Sequence, residues 1–151
     1  MSQRRDIIKF IIDNLILIDG TQSPLSFYTF KTDLHSNVFR GFKTLEDIND
    51  FPSIYITAGP EVRNYNTVGI TQSSLSLTAR VYTYEDEDDL VSEHVNDIVQ
   101  DIEHVIYNLP RNHSNLEILD ITIESINTDE GLLTPYGIVE LQVQVSYEVT
   151  L

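Results

Sequence analysis

From Ile138 to Thr150 apolar and polar residues alternate without a break. Val139, Leu141, Val143, Val145, Tyr147 and Val149 fall on one side, and Glu140, Gln142, Gln144, Ser146 and Glu148 on the other. Successive side chains of a strand point to opposite faces, so this run demands a sheet with one buried face and one polar face. Two further segments read the same way. Ser53–Ala58 places Ile54, Ile56 and Ala58 together. Ser74–Tyr84 places Leu75, Leu77, Ala79 and Val81 opposite Ser76, Thr78, Arg80 and Tyr82. A weaker alternation sets Leu119, Ile121 and Ile123 against Asp120, Thr122 and Glu124.

What covers the apolar face is helical. Ile8, Ile11, Ile12 and Leu15 follow the i, i+3, i+4, i+7 rule, which predicts a helix over residues 3–18 with Ser2 as its cap and Asp19-Gly20 as its stop. Phe10 and Leu17 fall outside that stripe, exposed or covered by a partner. Val91, Val95, Ile98, Val99, Ile102, Val105, Ile106 and Leu109 form a broad stripe over a second helix, residues 88–109. It opens after the acidic run Glu85–Asp89 and ends at Pro110. Residues 21–43 interleave Phe27, Tyr28, Phe30, Phe39 and Phe42 with polar residues, as one or two irregular strands would. Thr44 to Asp47 has the spacing of a capping box and predicts a short helix over 45–49. The expected architecture is α+β, a single domain over 1–151. It is an antiparallel or mixed sheet of about four main strands with two amphipathic helices on one face and a long polar arm. The other face (Tyr55, Thr57, Arg80, Tyr82, Tyr84, Thr122, Gln142, Gln144) would meet solvent or another subunit.

The arm is residues 59–73, longer and more polar than a hairpin turn requires. Its length suggests reach toward a neighbouring subunit, with Glu61, Arg63, Tyr65, Asn66 and Val68 as candidate contacts.

Charge narrows the function classes. The net charge is −15. Residues 1–80 carry eight bases and eight acids, whereas residues 81–151 carry sixteen acids against Arg111 alone. With no cluster of Lys and Arg, tight binding to nucleic acid or to an anionic membrane is not expected. No stretch approaches 18 consecutive apolar residues, and the N-terminus lacks the uniform apolar run of a signal peptide. Cysteine is absent, which removes disulfides and thiolate chemistry and makes the cytosol the default compartment.

One group of residues has the types a metal site needs. His94, Asp97, Asp101 and His104 span about 80° of the second helix. Imidazole and carboxylate on one face could hold a divalent ion, but that face points away from the apolar stripe, where nothing would dry a site. A solvated face is the plainer reading. The acidic run lacks the glycine and distal glutamate of a calcium loop, and none of the P-loop, nucleophile-elbow, zincin or dinucleotide fingerprints is present. No cofactor, metal or catalytic residue is expected.

Taken in order, the elements resemble the tail terminator (tail completion) proteins of long-tailed bacteriophages. The resemblance runs over residues 3–151, least over 21–43. It is carried by Leu45 to Ile56 (LEDINDFPSIYI), Leu75 to Tyr84 (LSLTARVYTY), the long helix with Asp101-Ile102-Glu103, and the last two strands. Those strands are joined through Asp129-Glu130-Gly131-Leu132-Leu133 and Pro135-Tyr136-Gly137. It implies a non-enzymatic subunit of a hexameric ring on the last ring of the tail tube, which stops tube growth and offers a surface to the head connector protein. On that view Asp129, Glu130, Leu132, Leu133 and Tyr136 form a second candidate interface. The protein would reside at the head-proximal end of the virion tail, after assembly in the host cytoplasm. An anionic surface along the channel would let DNA slide through, and like-charged halves would oppose association of free subunits. Two alternatives stand beside it. One is another phage neck or head–tail adaptor subunit. The other is a small metal-dependent hydrolase using His94, Asp97, Asp101 and His104.

Overall fold

The structure is a computed structural model that describes residues 3–24, 26–65, 69, 71–87, 90–109, 112–113, 116–129 and 132–149. Its elements follow in the order α1 (Gln3–Leu15), β1 (Val38–Arg40), a single 3₁₀ turn (Leu45–Asp47), β2 (Ser53–Tyr65), β3 (Thr71–Tyr84), α2 (Val91–Tyr107), β4 (Asn112–His113), β5 (Leu116–Thr128) and β6 (Tyr136–Val149). The strands run β1-β2-β3-β6-β5, with the two-residue β4 pairing the start of β5. β1 joins β2 in parallel and every other pairing is antiparallel. The sheet is mixed, and its main body has five strands rather than four, because the short β1 adds an edge.

β6 is the axis of the fold. Its residues are buried at every second position from Gly137 to Val149, as the alternation requires. Its register with β3 is unbroken from Thr71↔Val149 to Tyr84↔Tyr136. Both helices pack on the face defined by Leu75, Leu77, Val81, Val139, Leu141 and Val145 and share one core with it. α1 contributes Ile7, Ile8, Ile11 and Leu15, and α2 contributes Ile98, Ile102, Val105 and Ile106.

Several expectations are corrected. Both helices are shorter than their apolar stripes. The proposed cap Ser2, the stop Pro110, and Asp88 and Asp89 at the opening of α2 lie outside the described residues. Phe10 is buried in the main core rather than left on an outer side. The reason is the excursion between α1 and β1, which adds a layer at the helix side of the sheet. It hangs on isolated bridges at Asp19↔Asp33 and Gln22↔Thr29 and sends Phe30 and Leu34 into the core. Among the described residues of 21–43 only Val38–Arg40 is a strand.

The arm is a strand hairpin. β2 and β3 stay paired out to Tyr65↔Thr71, with a bulge between Ala58 and Glu61. One extra residue in a bulge reverses which side chains face the core. Ile54 and Ile56 therefore point inward below the bulge, whereas Glu61, opposite Leu75, does so above it; Ala58, in register with Leu77 before the bulge, is exposed. The same device reverses part of β5. Its bulge between Ile118 and Asp120 buries Ile118 and turns Leu119 outward, against the alternation expected there.

Candidate functional site

The polar face of α2 is solvated at Ser92, Glu93, Asn96 and Gln100 but not at Asp101. Asp101 has no exposed surface. Its carboxylate accepts hydrogen bonds from the Tyr28 hydroxyl (2.7 Å), the Lys31 N–H (3.1 Å), the Thr32 N–H (2.9 Å) and the Thr32 hydroxyl (2.6 Å). All four donors belong to the excursion, so one buried carboxylate ties that segment to α2. Burial, then the hydrogen bond to Asp101, raises the Tyr28 pKa and keeps the phenol as the donor. His104 stacks on Tyr28 with ring centroids 4.2 Å apart and meets the Ser26 hydroxyl at 2.8 Å. Burial lowers its pKa against the opposing pull of Asp101, which favours a neutral imidazole. Asp97 lies 3.9 Å from the Lys31 ammonium. Of the four residues that could have held a metal ion, Asp97, Asp101 and His104 are thus engaged in internal contacts, whereas the buried His94 Nε2 has no hydrogen-bond partner among the described residues. No group of three or more His, Cys, Asp or Glu among the described residues has metal-holding geometry.

The opposite face of the sheet is partly roofed. Residues 42–52 fold back over its upper part, so that Ile48, Tyr55 and Tyr82 form a small second core. The Tyr82 hydroxyl donates to the Lys43 carbonyl at 2.7 Å, and Phe42 lies under the Arg80 guanidinium. Two tyrosines expected on an open face are therefore buried. Below this roof the face is a ladder of polar cross-strand pairs. Ser76 donates to Gln144 (2.9 Å), Thr78 donates to Gln142 (3.1 Å), and Arg80 pairs with Glu140. Each pair sits directly across β3 and β6, where side chains interact best.

The arm divides into two parts. At its base Glu61 accepts a hydrogen bond from the buried Tyr147 hydroxyl and lies 3.5 Å from Arg63. Arg4 of α1 donates to the Gly59 carbonyl at 3.0 Å. Glu61 is therefore held within its own subunit. Beyond it Val62 (67% exposed), Arg63, Asn64 and Tyr65 project outward, and Asn66 and Val68 lie outside the described residues. Burial pushes the Glu61 pKa up, but the Tyr147 hydrogen bond and the charges of Arg63 and Arg4 outweigh it and leave the pKa lowered. A carboxylate with a lowered folded pKa contributes stability above its unfolded pKa, and that contribution disappears as pH falls through the folded value. Acid titration of unfolding should show this loss below pH 4.5, the ordinary glutamate value. In Glu61→Gln the acid loss should be smaller by the Glu61 contribution, while that of Asp19, whose pKa is also lowered, persists; an unchanged profile would place the charge elsewhere.

The turn between β5 and β6 lies at the other end of the molecule. Asp129 N–H donates to the Ile138 carbonyl (3.1 Å), Leu132 N–H to Asp129 (3.0 Å) and Tyr136 N–H to Leu133 (2.8 Å). Tyr136 stands in an aromatic cluster with Tyr84 and Phe51, at 5.3 and 5.6 Å between centroids. On this firm base Leu132 is 84% exposed and Leu133 is also exposed. Glu130 lies outside the described residues. From Thr71 to Tyr84 the strands rise about 3.3 Å per residue, so arm and turn stand roughly 40 Å apart at opposite poles.

An exposed apolar turn stands at one pole, a projecting hairpin at the other and a polar sheet face between them, features that an assembly subunit would use. Comparison with known proteins gives the particular family. Residues 1–150 match the bacteriophage tail tube terminator protein family. The tail tube terminator protein of Escherichia phage T5 is 31% identical over 159 aligned residues, which span 98% of this chain and 95% of that protein. A chain from the virion of a native gene transfer agent particle superposes with a TM-score of 0.53 at 10% identity, over 91% of this chain and 92% of that one. At that identity the likeness is one of fold. The chain belongs to the bacteriophage tail tube terminator family and is a structural subunit of a phage tail.

Proposed function

We propose that the protein closes the head-proximal end of the tail tube as a ring of identical subunits, six on the family resemblance. There it ends tube polymerisation and presents a docking surface to the head–tail connector. The observation that carries this reading is full-length similarity to a tail tube terminator, supported by exposed side chains at opposite poles of the strands. A single layer of such subunits has one face for the tube and another for the connector. The role is structural rather than catalytic. Asp101 and His104, the best placed acid–base groups of α2, are engaged in internal hydrogen bonds and stacking. The net charge of −15 suits a ring through which DNA passes without adhering. The protein works in the virion tail, having assembled in the host cytoplasm.

The Leu132–Leu133 turn offers a direct test. Both side chains are exposed, so Leu132→Asp with Leu133→Asp should change stability by no more than about 1 kcal/mol. Apolar anchors at interface centres commonly contribute about 2 kcal/mol or more. The double variant should therefore bind either purified tail tubes or purified connectors at least about tenfold more weakly. Unchanged affinity for both would show that this pole is not a docking surface.

A further inference from the structure

The order of strands divides the molecule by charge. β1, β2 and β3 form one lateral half of the sheet, and β6, β5 and β4 form the other. The balanced first half of the sequence and the acidic second half are therefore two sides of one body, each ending in an open edge. On one side β1 pairs only Ile54–Ile56, so among the described residues the outer edge of β2 from Thr57 to Tyr65 has no strand partner. On the other, among the described residues β5 is paired on its outer side only at Leu116 and Glu117.

Each edge bears exposed apolar side chains within a charged frame, and the frames differ in sign. The β1/β2 edge carries Val62 with Arg40 and Arg63, all exposed. The β5 edge carries Leu119 (48% exposed) and Ile126 (40%) with Glu124. Registers across the sheet set these at matching heights. Val62 pairs Ser74, Ser74 pairs Ser146, and Ser146 pairs Asp120, next to Leu119. Arg40 pairs Ile56, Ile56 pairs Ala79, Ala79 pairs Leu141, and Leu141 pairs Ile126. Cyclic symmetry brings together points at equal height along the ring axis. With strands running along that axis, Val62 meets Leu119 and Arg40 meets the Glu124–Ile126 stretch of the next copy.

We propose that subunits join head-to-tail, the β1/β2 edge of one against the β5 edge of the next, through side chains rather than a continuous strand ladder. A contact between two different surfaces of identical subunits propagates and closes into a ring, whereas a contact of one surface with itself stops at a dimer. Main-chain pairing is blunted on both sides. Pro60 lacks an N–H, Arg4 caps the Gly59 carbonyl, and bulges interrupt β2 and β5. The acidic halves then face the neighbour's cations instead of one another.

This inference rests on the ring reading above, and the test separates the two. The chain has no cysteine, so introduced thiols report contacts without background. The double variant Val62→Cys with Leu119→Cys, treated with a bis-maleimide on tail tubes and in free solution, should give a cross-linked ladder that ends at the ring number. Val62→Cys alone and Leu119→Cys alone should give no cross-linked dimer. Dimers from either single variant would mean like edges meet, and overturn the assignment. Rings visible on tubes without any ladder from the double variant would also overturn it, while leaving the ring intact. Absence of rings under any condition would remove the ring reading and this inference together. Arg40→Glu with Arg63→Glu should weaken self-association at least tenfold, with recovery on adding Glu124→Lys; failure of both effects would contradict the charge match.

Discussion

Replacing Asp101 with alanine is expected to cost about 3–5 kcal/mol of stability, the largest loss from any single polar substitution in the molecule. The side chain is fully buried, and its two oxygens receive two backbone N–H groups and two hydroxyls. A hydrogen bond to a charged group contributes about 1.5–3 kcal/mol, and a buried donor left without a partner costs about 1–3 kcal/mol. The alanine variant loses the first and incurs the second at Lys31 and Thr32. For a chain of this length the expected loss lowers the melting temperature by about 10 °C. Asp97→Ala, one turn away on a half-exposed ion pair, should cost less than about 1 kcal/mol. Urea unfolding of the two variants compares them directly. A loss below about 1 kcal/mol for Asp101→Ala would mean that the excursion is held by its apolar residues alone.

Gly137→Ala should destabilise the protein by about 1–3 kcal/mol, the range for forcing extra volume into a packed core. A Cβ at Gly137 would stand 2.6 Å from the Thr83 hydroxyl and 2.7 Å from a Val95 methyl, with a Val91 methyl at 3.3 Å. The first turns of α2 lie directly on the start of β6, so relief requires the helix to lift. Gly59→Ala is the milder comparison, because its nearest contact is the Ser76 carbonyl at 3.2 Å. Denaturant midpoints for both variants check the order, and an unperturbed Gly137→Ala would show that α2 does not seat where described.

What was legible in the sequence was what local periodicity encodes. β6 alternates because one sheet face is buried, and α2 carries a stripe because it lies on that face; both are where the pattern places them. Bulges defeat the same method. One added residue moved Leu119 out and Ile118 in, and in β2 brought Glu61 to the inward side opposite Leu75. Asp101 was misread for a different reason. Outside the apolar stripe a carboxylate looks solvated, and the donors that bury it lie about 70 residues earlier in the chain. Tyr55 and Tyr82 were placed on an open face because nothing in their own strands announces the Ile48 segment that covers them. Summed charge alone implied repulsion between copies; strand order adds that the acidic half and the balanced half of the chain lie on opposite lateral sides of the sheet. Of the candidate contacts, Arg63, Tyr65, Leu132 and Leu133 stand exposed, while Glu61 is tied to Tyr147 within its own fold.

Electron microscopy of purified tail tubes mixed with the purified protein tests the central claim most directly. The account predicts one additional ring at a single end of each tube, tubes that no longer elongate when fresh tube protein is supplied, and bound protein that scales with the number of tube ends. Protein spread along the tube wall, or capped tubes that continue to grow, would contradict it.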